Sequence, residues 1–397
     1  MSSCRSSSTS AARLLALAVA AAGCGNPRVP VATAPAPARV AVFPTVNVGG
    51  GPAPGEELDR GVEGIVAGAG LEVVPRPVLE DFLARHRVRN TAGVDAETAR
   101  AAREELGVDA VVLVSVGAYQ PQAPPRLAVT LRLVSTGEPP RILWIDGAVR
   151  AGDEQPGLLG LGVIRDPARV QRIVLDRLGR SLRAYLRGGA RAGTCEPERR
   201  FGPRLVFRSP RLGEGPFKVA VLPFVNETRR RSAGDAAALE LVRQLSASPA
   251  VEVVEPGVVR SVLLENRLIM PGGVSLDVAS TVLDKLDADL VVAGIVRRYE
   301  DGGGASSDAA RVELAVQVLD RAHEVVAWSS VSQGDGGSGV WWFDLGRVQN
   351  SADLLCRVAA SVVDRMDLEV ARGSGGADAT PQRSRLTGSL RRVHGAP

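Results

Sequence analysis

The chain has 397 residues, 48 basic against 44 acidic, with four cysteines and three histidines. So few cysteines exclude a disulfide framework, and His86, His323 and His394 leave little for metal or triad chemistry. All basic residues except Lys218 and Lys285 are arginine, spread beside nearly as many acids without aromatic interleaving; this excludes a nucleic-acid module and predicts a solvated, mixed-charge surface.

Residues 1–23 read as a signal peptide, with Arg5 and Arg13 ahead of an apolar run, Leu14 to Ala22, too short to span a bilayer. The run closes on Ala22-Gly23-Cys24, which resembles a bacterial lipoprotein lipobox with Ala21 where leucine is usual. The resemblance implies lipidation of Cys24, and Gly25 rather than aspartate implies the periplasmic face of the outer membrane. An ordinary secretory signal ending nearby is the alternative. Residues 24–37, rich in Pro and Ala, read as a tether, and nothing after residue 23 is long and apolar enough for a membrane helix.

Residues 39–46 read as a buried strand ended by a Pro and Asn turn. Leu58, Val62, Ile65, Val66 and Ala69 follow at helical spacing, with Gly70 as a C-cap. A strand at 71–74 precedes a helix opened by Pro77, and Asp95 caps a third helix running to Leu106. Strands at 109–116, 126–134 and 141–149 come next, the last two close enough for a hairpin. Asp166-Pro167 opens a final helix with Val170, Val174, Leu178, Leu182 and Leu186 on one face. The stretch 188–217, rich in Gly, Pro and Arg, reads as a linker.

The same order then recurs. Val40-Ala41-Val42-Phe43-Pro44-Thr45-Val46-Asn47 returns as Val219-Ala220-Val221-Leu222-Pro223-Phe224-Val225-Asn226, Leu71-Glu72-Val73-Val74 as Val251-Glu252-Val253-Val254, and Trp144 is answered by Trp328. Strands near 218–225, 250–254, 289–296, 311–319 and 324–331 lead to a last helix carrying Leu355, Val358, Ala359, Val362 and Met366. The fold class expected is α/β, a mixed-sheet α+β sandwich in two tandem similar domains, 38–187 and 218–370, each βαβααβββα. The tail 371–397, with Arg383, Arg385, Arg391 and Arg392 among small polar residues, has a composition that cannot bury a core. Cys356 falls on an apolar helix stripe and Cys195 in the linker, so the expected state is two unpaired thiols.

The repeated strand motifs, with Ala288-Asp289-Leu290-Val291-Val292-Ala293-Gly294, resemble the domain shared by the TolB amino-terminal region, the curli-secretion lipoprotein CsgG and the lipoprotein LpoB. The second half matches over nearly its whole length and the first is degenerate. The resemblance implies a binding and assembly module of the cell envelope, partnered by other envelope proteins, with no catalytic residues and no cofactor to carry over. Self-association into a homo-oligomer is allowed. A curli-like secretion pore is the alternative. It needs membrane strands of about 9 to 11 residues each, and the links 117–125 and 297–310 are short and polar.

A ligand-binding or catalytic protein using a cleft between the halves is the reading from a different class. His323-Glu324 lacks a zincin's second histidine, and His86 reads as a satisfied structural group. Gly334-Asp335-Gly336-Gly337-Ser338-Gly339 has dinucleotide-loop spacing, but Val340-Trp341-Trp342-Phe343 follows where a helix should start, so it reads as a surface loop. Trp341, Trp342 and Phe343 are the candidate partner-docking residues; the competing reading packs them at the start of the last helix.

Overall fold

The computed structural model describes residues 37–49, 53–154, 162–210, 212, 215–270, 272–302, 309–322, 325–339 and 347–368. In the first half, β1 (Arg39–Val42) and β2 (Val46–Asn47) are one path broken around Pro44, which has no N–H to give to a ladder. Both pair in parallel with β4 (Ala110–Gln120), while β3 (Glu72–Val73) lies on the other side of β1. From β4 the sheet continues antiparallel through β5 (Arg126–Ser135) and β6 (Ile142–Ala151).

Four helices cover this sheet: α1 (Gly55–Ala67), α2 (Arg76–Arg85), α3 (Ala96–Leu106) and α4 (Pro167–Leu186). The caps expected from sequence form, with the Asp95 carboxylate accepting from the Thr98 N–H and Asp166 from that of Ala168. Helix α1 ends at Gly68 rather than Gly70, which takes the left-handed turn conformation two residues later. Alternation along β5 sorts the layers. Leu127, Val129, Leu131 and Leu133 pack with Leu58, Val62, Val174 and Leu178 of α1 and α4. The opposite face of β1 and β4 packs with Phe82, Ala99, Ala102 and Leu106 of α2 and α3.

The second half repeats the order with one addition. Its strands are β7 (Leu205–Arg208), β8 (Phe217–Val221), β9 (Val225–Asn226), β10 (Val251–Val253), β11 (Leu290–Glu300), β12 (Arg311–Asp320) and β13 (Val325–Asp335). They lie in the order β10-β8-β11-β12-β13-β7, against β3-β1-β4-β5-β6 in the first. The helices are α5 (Ala233–Leu245), α6 (Pro256–Glu265), α7 (Leu276–Leu286) and α8 (Ser351–Met366). Trp144 pairs across to Leu133 and Trp328 to Val318, and each indole is 1% exposed. The mixed-sheet α/β sandwich expected from sequence is the fold.

Three local expectations are corrected. The stretch 188–217 carries β7, which pairs antiparallel with β13, and a buried Phe201. Its Gly, Pro and Arg content hides the short apolar run Leu205-Val206-Phe207. Cys195 and Cys356 are bonded to each other across 161 residues of sequence, with Cα atoms 5.8 Å apart. The expectation of free thiols failed because sequence gave no sign that the linker folds back onto α8. Finally, Gly334 and Asp335 belong to β13, and Gly336 is pinned between the Ala310 carbonyl and the Val348 N–H, so the glycine run starts as packed structure rather than loop. Cys24, His323, Trp341, Trp342, Phe343 and the tail lie outside the described residues.

Candidate functional site

The two halves meet along a seam built largely by arginine. The first half presents the face of β5 and β6 that points away from α1 and α4; the second presents α5 and the starts of α6 and α8. Ile142 and Ile145 of the first half accordingly belong to the apolar core of the second.

At one end, Arg132 of β5 sits 3.4 Å from Glu255, the N-cap of α6, and also donates to the Ala92 carbonyl. Both side chains are almost wholly buried, at 2% and 0% exposure. The Glu255 carboxylate accepts from the N–H groups of Gly257 at 3.3 Å and Val94 at 3.4 Å. Burial pushes its carboxyl up, opposed by Arg132 and the two amides. Backbones touch here: a Cβ on Gly93 would fall 2.6 Å from the Gly257 nitrogen, so only glycine lets the loop approach.

In the middle, Arg243 of α5 is held by Glu240 on its own helix at 2.8 Å and donates across the seam to the carbonyls of Gly147 and Gly193 at 3.3 and 3.1 Å. At the far end, Arg230 donates to the carbonyls of Gly49 and Gly117, at 3.3 and 3.4 Å, while bonded to Asp301 at 2.7 Å. Its guanidinium lies 5.0 Å from the Tyr299 ring centre. Burial works against the Asp301 charge, yet Arg230 and two bonds from Ser351 hold that carboxyl below its usual range. Burial also pushes the Tyr299 hydroxyl up to about 12. Arg126 completes the stitching with a 2.9 Å bond to the Gly302 carbonyl. The solvated surface expected for the arginines therefore fails at Arg126, Arg132 and Arg243, each no more than 7% exposed. Nothing in their local sequence marks them, because what buries them lies on the other half: Glu255 for Arg132, the Gly302 carbonyl for Arg126 and the Gly147 carbonyl for Arg243.

Beside the Arg132 and Glu255 pair the seam opens into a cleft of about 370 Å³. It lies beyond the carboxyl ends of β1 and β8, with apolar walls from Val46, Val48, Val221 and Leu239. Arg89, Asn90, Ser232, Asp235 and Arg260 supply its polar groups. Burial pushes the Asp235 carboxyl up, against the pull of Arg260. Ser115 and Ser232 are the lining hydroxyls, and a nucleophilic serine needs a base within about 3 Å. Among the described residues no histidine or cysteine lines the cleft. Among the described residues no group of three or more His, Cys, Asp or Glu side chains is arranged to hold a metal. No helix among them is long and apolar enough to cross a membrane.

The remaining histidine described, His86, lies 2.6 Å from the Glu105 carboxylate with its ring against Phe82, as a satisfied structural group. The His86 bond, with one from Arg85, holds Glu105 below the usual carboxylate range.

No family model matches the chain, and no curated protein matches it. Solved structures are similar to parts of it. The PelC dodecamer from Paraburkholderia phytofirmans is 17% identical over 42% of this chain and 96% of its own, with a TM-score of 0.30. Lipoprotein GNA1162 from Neisseria meningitidis is 21% identical over 37% and 99%, at 0.28. The LpoB C-terminal domain from Salmonella enterica is 15% identical over 28% and 82%, at 0.24. Likenesses at these scores assign no function to this chain.

Proposed function

We propose that this is a lipid-anchored protein of the bacterial cell envelope, held at the outer membrane through Cys24 and working by protein contacts as an assembly factor or regulator. The observation that carries the non-enzymatic part is what the charges of the seam bind. Arg132, Arg230 and Arg243 donate to backbone carbonyls of the first half, and their acids Glu255, Asp301 and Glu240 accept from those arginines or nearby backbone. These groups are committed to holding two sandwiches as one body. The anchoring part rests on the apolar run closing at Ala22-Gly23-Cys24. Stable attachment takes two or more acyl chains, because one binds a bilayer only marginally.

The test is Cys24→Ser followed by fractionation. The variant should leave the membrane fraction while keeping the melting temperature of the released wild-type body; retention after a salt wash would refute the anchor. The cleft supports a second reading, capture of a small amphipathic ligand, because it combines apolar walls with Arg89 and Arg260.

A further inference from the structure

We propose that the open face of β11, β12 and β13 docks a second copy of this chain, seating on the outer side of that copy's α1 and α4. The template is the seam itself. Its two sides use different surfaces, so the contact is head-to-tail and leaves one surface of each kind unmatched.

The unmatched sheet face belongs to the second half. Leu133 opposite Trp144 and Val318 opposite Trp328 align the two hairpins, placing Gln317 at Arg132, Glu313 at Ala128 and Ser329 at Ile145. The first-half residues are 2%, 4% and 0% exposed under the second half. Their counterparts are uncovered among the described residues: Gln317 is exposed, and Glu313 and Ser329 are half-buried. Phe207, across from Ser329, is 52% exposed.

The unmatched helical surface belongs to the first half. Leu58, Val62 and Val66 of α1 align with Ala237, Leu241 and Leu245 of α5, each fully buried. This puts Gly61 at Glu240 and Gly64 at Arg243, the side chains that α5 buries in the seam. Gly61 and Gly64, with Glu57, Ala168 and Gln171, line an open hollow of about 410 Å³ between α1 and α4. Their counterparts Glu240, Arg243, Ala236, Ala352 and Leu355 line the filled seam at Gly117 and Gly147.

The fit is kept with its sizes exchanged. In the seam a large helical residue meets glycine on the sheet: a Cβ on Gly147 would come 2.8 Å from the Arg243 guanidinium. At the open surfaces Gly64 stands on the helix and Val331 on the sheet. Both surfaces carry charges of both signs at their borders, Arg297 and Glu313 at the sheet face and Glu57, Arg172 and Asp176 at the hollow. One chain cannot satisfy itself. Its α1 and α4 cover the side of the first sheet that faces away from the seam, so the second half cannot reach them.

The test uses the full chain in mild detergent. One preparation carries Gly64→Cys and another Val331→Cys. Oxidising the mixture should give a covalent dimer linked between the two introduced thiols, and light scattering of the unmodified protein should show two or more chains per particle. Gly64→Arg should weaken association at least tenfold with an unchanged melting temperature, because a Cβ there meets nothing within 4 Å. A monomer at every concentration, a Val331→Cys dimer linked to itself, or Gly64→Arg without effect would each overturn the proposal. So would maleimide labelling of monomeric Val331→Cys that rises only when residues 371–397 are removed, since the tail would then be the occupant.

Discussion

Removing Arg132 probes the seam at its most deeply buried ion pair. In Arg132→Met the aliphatic volume stays, but Glu255, with no exposure, loses the cation 3.4 Å away. Breaking a buried pair from one side costs about 3 to 5 kcal/mol, whereas replacing both partners by apolar residues is close to neutral. Urea unfolding should therefore show Arg132→Met destabilised by about 3 to 5 kcal/mol. Arg132→Met with Glu255→Met should recover most of that, short by about 1 kcal/mol for the lost α6 cap. The pH dependence fixes the cause. A carboxyl raised in the folded state binds more protons folded than unfolded, so stability falls as pH rises above its ordinary value of 4.5. Without Arg132 that window extends upward, and the variant should lose up to about 1.4 kcal/mol per pH unit relative to wild type through it. A cost under about 1 kcal/mol, or a difference from wild type that stays flat between pH 5 and 8, would refute the seam energetics.

Cys195→Ser should lower stability by on the order of 5 kcal/mol at most, since the bridge closes a loop of 161 residues in the unfolded chain; calorimetry under oxidising and reducing conditions checks it. Alkaline titration followed by tyrosinate absorbance should find all three tyrosines ionising above 10 and Tyr299 last, near 12. Because these pKa values are raised on folding, stability should fall as pH climbs past 10; a Tyr299 that ionises normally would refute its burial. Replacing Trp341 and Trp342 by Ala should weaken partner capture by on the order of 2 kcal/mol or more with little change in melting temperature, if they dock. A large fall in melting temperature would assign them to the core.

Local pattern made the sandwich legible. Asp95, Asp166 and the paired tryptophans stand where their spacing put them, because caps and strand alternation depend on near neighbours. What stayed hidden depends on groups far apart in sequence. β7 is four residues in a Gly and Pro-rich stretch and becomes a strand only because β13 offers an open edge. Cys195 meets Cys356 only once the linker folds back onto α8, and Arg132 meets Glu255 only once the halves close. The cleft shares that origin, since neither half forms it alone. One signal was available at Gly61 and Gly64, where the second repeat has Glu240 and Arg243. Comparing helix faces between the repeats separates the buried helix from the open one.

Function through protein contacts is tested at the open sheet face by a photoreactive amino acid in place of the exposed Gln317. It would be activated in native membranes and its adducts read by mass spectrometry. The expected product is a protein adduct, carried on α1 or α4 of another copy. Illumination that leaves Gln317 coupled only to solvent would contradict it.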